Sequence, residues 1–224
     1  MANPRLLPCD SDVLVQFFAA NELRPLRDLR KLYGIVPVVV QEVEFELRWL
    51  GHHKDKFVTQ LDKAVKSGLI SRLDKTLFQS YLSAAPAGSS WSSYQSLGAQ
   101  YQGYVDRGEA YTHAAGIVLG TPTASNDYRA IQVLQFQMMN LPSPVLRSFD
   151  LLALALEAGT MSVHDCETFR STLLACGEGV PKAFKHSSFE DGVPNFRVRL
   201  RDSSGATTAE SPASFSDPLF ITRL

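Results

Sequence analysis

At 224 residues, with 45% hydrophobic and 20% charged side chains, the chain is long enough to bury a core as one domain, or as one domain with an appendage. Its formal net charge of −1 excludes a global positive field for nucleic acid, so any such contact falls to local basic stretches. No apolar run approaches the roughly 18 residues of a membrane span, Met1 to Arg5 lacks the features of a signal peptide, and Cys9, Cys166 and Cys176 form no CxxC pair. A cytoplasmic protein without membrane contact, disulfides or cysteine-held zinc is therefore expected.

Leu6-Leu7-Pro8 reads as a buried strand, and residues 13–20 read as a buried helix. Asp10 and Asp12 stand at the joint, where a parallel strand hands over to its crossover helix and where open α/β sheets place their ligands. Pro8 conflicts with a central strand, because it removes a ladder donor. Pro25 suits the first turn of a helix through Leu26, Leu29 and Tyr33, ended by Gly34. After the short extended piece Ile35-Val36-Pro37, a helix is expected from Val38 to Leu50, with Val39, Val43, Leu47 and Leu50 on one side and Glu42 and Glu46 beside them. The β-branched run Val38-Val39-Val40 also suits a strand.

A helix over 54–67 ends at Gly68, and Leu69 to Leu73 follows as a short strand. Ser83 to Ser90 is small and polar, hence a loop, and helix resumes from Tyr94 to Val105. An alanine-rich helix from Glu109 to Val118 lies between Gly108 and Gly120, followed by a β-leaning stretch at 121–127 and a helix from Tyr128 to Met139. Pro144, with Ser143 as N-cap, marks a helix start that Gly159 closes. Ser162 to Asp165 has the form of a capping box for a helix ending at Cys176. Beyond Gly177 helical period is lost, Phe196 to Leu200 alternates like a strand, and 203–216 reads as exposed. The alternation of strand and helix over the first 140 residues gives an α/β class with a parallel sheet.

Four carboxylates stand out by position. Asp10 and Asp127 end two strands, Glu42 lies on the third helix, and Glu109 opens a helix just after Arg107-Gly108. Strand ends and helix starts share one edge of a parallel sheet, so these four can converge. Clustered carboxylates repel, and a hard divalent cation such as Mg²⁺ or Mn²⁺ removes that cost while favouring phosphodiester hydrolysis. Each residue also has a plain structural reading. Asp10 and Asp127 suit helix caps, Glu109 suits the helix dipole, and Glu42 suits solvent.

Cys9-Asp10-Ser11-Asp12-Val13-Leu14 resembles the opening motif of PIN-domain ribonucleases. Val38 to Val43 with Glu42, Asp106-Arg107-Gly108-Glu109-Ala110, and Ser125-Asn126-Asp127 resemble the second, third and fourth motifs, in family order across about residues 5–140. Leu146 to Leu174 is similar to the helical end of the toxin-like branch of toxin–antitoxin systems. The resemblance implies an α/β/α sandwich with a central parallel sheet over 1–177 and a C-terminal extension over 178–224. It implies a Mg²⁺- or Mn²⁺-dependent endoribonuclease with RNA as substrate, an antitoxin protein as partner, and a homodimer. Asp10, Glu42, Glu109 and Asp127 would be catalytic, with Asp10, Glu109 and Asp127 as metal ligands and Ser11 and Asn126 as supporting polar groups. Asp12 stands where the family more often has Asn, and the Ser-rich loop and the tail from about Pro181 have no family counterpart.

The competing reading is a non-catalytic PIN-like module that binds RNA or a protein. A doubly wound nucleotide-binding or receiver-type domain lacks a GxGxxG or Walker loop. The basic groups Arg24, Arg27, Arg30 and Lys31, and Lys182, Lys185, Arg197, Arg199 and Arg201, read as solvated faces. His52-His53 has no third ligand at metal spacing and reads as a solvated helix start. Trp49 and Trp91 are able to stack on bases, yet core or loop packing is the simpler expectation, as it is for Met138-Met139.

Overall fold

A computed structural model describes residues 5–49, 54–127, 129–133 and 145–193. It is a mixed α/β protein, mostly helical, with a small parallel sheet. Its elements are β1 (Arg5–Pro8), α1 (Ser11–Ala19), α2 (Arg24–Tyr33), β2 (Ile35–Val39), α3 (Gln41–Trp49), α4 (Lys54–Lys66) and β3 (Ser71–Arg72). Then follow α5 (Lys75–Tyr81), α6 (Trp91–Tyr101), α7 (Arg107–Leu119), β4 (Thr123–Ala124), β5 (Val145–Leu146), α8 (Ser148–Glu157), α9 (Val163–Cys176) and α10 (Lys182–Lys185).

β1 pairs in parallel with β2, and β2 with β3. β4 pairs in parallel with β5. A parallel bridge between Cys9 and Ala124, with the Asp10 N–H donating to Ala124 O at 2.8 Å, sets β4 against the end of β1. The chain thus moves outward from β1 to β3 on one side and returns to the other side with β4 and β5. The crevice between β1 and β4 is where strand order reverses, and Asp10 sits at its mouth.

Pro8 is tolerated for a reason visible in the ladder. Arg5 and Cys9 donate to Gly34 O and Val38 O, so the odd residues of β1 face β2. By the strand's period of two, the donor that Pro8 lacks faces β4, whose pairing begins only at Cys9 and Asp10.

α1 is buried along Val13 to Phe18 and carries Leu14, Phe17 and Phe18 into the core with Leu6 and Leu7 of β1. Six consecutive buried residues leave this helix no solvent face, which fits its place between sheet and outer helices. Phe149 of α8 stacks on Phe184 at 4.6 Å, and Phe184 on Phe189 at 5.2 Å. Residues 178–193 therefore feed the same apolar cluster, and Gln16 of α1 donates to Gly179 O at 2.5 Å. No helix among the described residues is long and apolar enough to cross a membrane.

Several sequence expectations are corrected. Val38 and Val39 belong to β2 and α3 starts at Gln41, because the β-branched run completes a buried five-residue strand. α5 was not anticipated; Asp74 caps it by accepting from the Leu77 N–H at 2.7 Å. α6 starts at Trp91, where Ser90 accepts from the Ser93 N–H, and ends at Tyr101. β5 precedes α8, which starts at Ser148, four residues past the proline expected to open it. Helix returns after Gly177 as α10 and again at 189–193. The capping box at Ser162 and Asp165 and the left-handed Gly34, Gly120, Gly159 and Gly177 stand where the sequence places them. His52-His53, Met138-Met139, Ser143-Pro144, Arg197, Arg199, Arg201, the strand at 196–200 and the stretch 203–216 lie outside the described residues.

Candidate acidic site

Three carboxylates from two helix starts meet at the β1–β4 crevice. Asp10 is the residue after β1, in extended conformation, and occupies the N-cap position of α1. Its side chain makes no capping hydrogen bond, is 5% exposed, and leaves Oδ1 buried without a partner. Asp12, in the first turn of α1, accepts the Asn126 N–H on Oδ2 at 2.8 Å, while its Oδ1 is buried and unpartnered. Glu109, in the first turn of α7, is buried and accepts from Ser125 Oγ at 2.9 Å. Two helix N-termini thus bring their positive dipole ends toward these acids, the arrangement that favours negative charge.

His113, one turn further along α7, lies with Nε2 3.7 Å from Glu109 Oε1 and Nδ1 3.1 Å from Thr123 Oγ1. Glu46 of α3 is the fourth acid near this edge. It accepts the Ser11 hydroxyl at 3.0 Å and the Gly108 N–H at 2.6 Å, tying the starts of α1 and α7 to α3. A Cβ at Gly108 would meet the Glu46 carboxylate, so a larger residue there would push that side chain off its two donors.

The electrostatics follow from burial and like charge. Burial pushes the Asp10 carboxyl well above the usual carboxylate range, and Asp12 and Glu109 push it further. Asp12 is pushed up to about 7, first by burial and then by Glu109. Glu46 is raised as well, by burial first, against the lowering effect of the Gly108 N–H. Such acids retain protons or draw in a cation. Two buried carboxylate oxygens with no donor, beside a third acid, make an all-oxygen donor set of the kind that hard divalent ions take. Among the described residues no three His, Cys, Asp or Glu side chains already converge on one ion, so ligation would require these carboxylates to turn toward a common point.

The residues singled out in the sequence fall into two groups. Asp10 and Glu109 come together, and Ser11 joins them through Glu46. Asn126 holds the neighbouring backbone: its N–H meets Asp12, and its Oδ1 accepts the Ser148 N–H at 3.0 Å. Asp127 is exposed and accepts the Arg129 N–H at 2.8 Å and the Ala130 N–H at 3.1 Å, capping the helix at 129–133. Glu42 lies 3.7 Å from Arg107 and bonds the Tyr94 hydroxyl.

Sequence reasoning left Asp12 at the margin and did not select Glu46. The signal for Glu46 was available in the helix start, since it lies one turn beyond Glu42 on the same face and α3 begins only at Gln41. Trp91 packs on Phe78 and Tyr94 as expected, but Trp49 is 72% exposed. Comparison with protein-family models, with curated proteins and with solved structures finds no match to this chain.

Proposed function

We propose that the protein is a divalent-metal-dependent endoribonuclease of PIN type, with an α/β/α arrangement about its parallel sheet. The observation that carries this reading is the pair of donorless buried oxygens on Asp10 and Asp12, beside Glu109, at the point where strand order reverses. Asp150 also leaves a buried oxygen without a donor while it caps α8, so what sets Asp10 and Asp12 apart is that two such acids lie against each other and beside Glu109.

Asp10, Asp12 and Glu109 would hold Mg²⁺ or Mn²⁺, which supplies charge neutralisation and a more acidic attacking water. Ser125 orients Glu109 through its hydroxyl, and Asn126 orients Asp12 through its N–H. Glu46 fixes the spacing of the two helix starts that carry those acids. His113 keeps a polar contact behind Glu109 in an otherwise apolar helix face. An antitoxin-type protein partner and a homodimer belong to this reading through the family likeness alone.

Calorimetric titration of Mn²⁺ into wild type and into Asp10→Asn/Glu109→Gln tests it, with cleavage of a mixed RNA pool run in parallel. Binding and cutting that disappear together in the double variant are expected. A folded wild type that neither binds Mn²⁺ nor cuts RNA returns the acids to a structural role.

A further inference from the structure

α3 carries an exposed aromatic pair beside its acidic side chains. Phe45 is 58% and Trp49 72% exposed, and their rings touch with centroids 5.8 Å apart at 46°. At 3.6 residues per turn, the helix surface runs in the angular order Phe45, Trp49, Glu42, Glu46. Trp49 therefore stands next to the acidic face of α3, about 4.5 Å along the helix axis from Glu46. Glu46 in turn touches Ser11 and Gly108 at the acidic site, and Arg107, 58% exposed, lies across from Glu42 at the other end of the same face.

We infer that Phe45 and Trp49 form a stacking platform for a base of single-stranded RNA, with Arg107 contacting the phosphate backbone along the same face of α3. The inference rests on the nuclease reading for the identity of the ligand and adds how the strand is held. Three observations select this occupant. Trp49 is exposed, so ring surface remains for a third ring to stack on. Among the described residues the patch is these two aromatic side chains, far less than the roughly 800 Å² per partner that a stable protein interface buries. The flank beyond Phe45 is charged, with Glu44 paired to Arg48 and Arg72, which ends the apolar surface on that side. Duplex RNA keeps its bases stacked on one another, so only an unpaired strand presents a free π-face.

The test uses Trp91→Phe protein in EDTA, which leaves Trp49 as the only tryptophan and prevents cutting. Single-stranded oligo(U) and oligo(A) are added while fluorescence is followed, and polarisation of a labelled oligonucleotide gives the affinity of wild type, Trp49→Ala, Trp49→Phe and Phe45→Ala. Saturable quenching is expected, with affinity about 10-fold weaker in Trp49→Ala and largely kept in Trp49→Phe. Arg107→Gln is expected to weaken binding and lower its salt dependence. Unchanged affinity in Trp49→Ala, or equal binding of duplex RNA, overturns the inference. So does a dimer that falls to monomer in Trp49→Ala, since the pair would then be a contact between copies. Quenching by RNA in a wild type that does not cut with Mn²⁺ would retire the nuclease reading and keep the platform. Undiminished cutting of limiting RNA by Trp49→Ala would do the reverse.

Discussion

At the end of β1, Asp10 begins α1; at the end of β4, Asp127 begins the helix at 129–133. Both are short strands followed by an aspartate and a helix, and in sequence they are the same kind of joint. In the structure Asp127 is exposed and spends its Oδ1 on two helix N–H groups. Asp10 occupies the same backbone position, is buried, and makes no capping bond. What separates them is the neighbouring strand. β4 closes over the end of β1 and shuts Asp10 in with Asp12 and Glu109, and the oxygens that would have capped a helix are left facing other acids. A joint becomes a site through what the sheet places beside it.

The sharpest way to break this comparison is activity. Asp10→Asn is expected to lower RNA cleavage about a thousandfold, the scale of losing one preorganised charged group in a site. Asp127→Asn is expected to stay within about threefold of wild type, because asparagine caps a helix as well as aspartate does. Equal losses in both would mean that Asp127 reaches the reacting atoms.

A second separation is in pH dependence without metal. Asp12 has a folded value of about 7 against an ordinary 3.8, so its contribution to stability is full below about pH 4 and is lost as pH rises through 7. Asp10 is raised in the same direction by the same burial. In EDTA, urea denaturation is expected to give lower stability at pH 8 than at pH 5, by the order of 3 kcal/mol for Asp12. Asp12→Asn should flatten this profile. Added Mn²⁺ should reverse the slope, since it binds the ionised acids. A metal-free profile that is level or rises with pH would count against the buried cluster.

Glu46 tests how the joint is braced. Glu46→Ala leaves the Gly108 N–H and the Ser11 hydroxyl without their acceptor and opens the space against Gly108. A loss of about 2 kcal/mol is expected, the usual cost of stranding a partly buried donor. Glu46→Gln keeps an acceptor oxygen and should recover about half of that. If Glu46→Ala unfolds at the wild-type urea midpoint, α3 does not brace the helix starts.

The sequence made much of this legible where the cause is local. Gly34, Gly120, Gly159 and Gly177 end helices because a left-handed residue there needs no Cβ, and the Ser162–Asp165 box is a four-residue pattern. Asp10 and Glu109 could be singled out because strand ends and helix starts share an edge. β5 was not legible, because two paired residues beside β4 carry no periodicity of their own. The start of α3 is ambiguous in the sequence because Val38 and Val39 fit both a helix stripe and a buried strand, and only pairing with β1 and β3 decides. Glu42 and Glu46 share a helix face, and the family resemblance favours Glu42, whereas Glu46 is the one that meets Ser11 and Gly108. No local pattern distinguishes Asp10 from Asp127, since the difference lies in β4 packing on β1.

The smallest effect isolates the cap itself. Asp127→Ala removes the acceptor for the Arg129 and Ala130 N–H groups at an exposed helix start. Water replaces part of what is lost, so a cost of about 1 kcal/mol is expected. The loss should be the same with and without Mn²⁺, since Asp127 uses its oxygen on its own helix. Asp127→Asn serves as the internal control and should fall within a few tenths of a kcal/mol of wild type. A cost that grows when Mn²⁺ is added would move Asp127 from the cap to the ion, and the two joints would then be alike in function as well as in sequence.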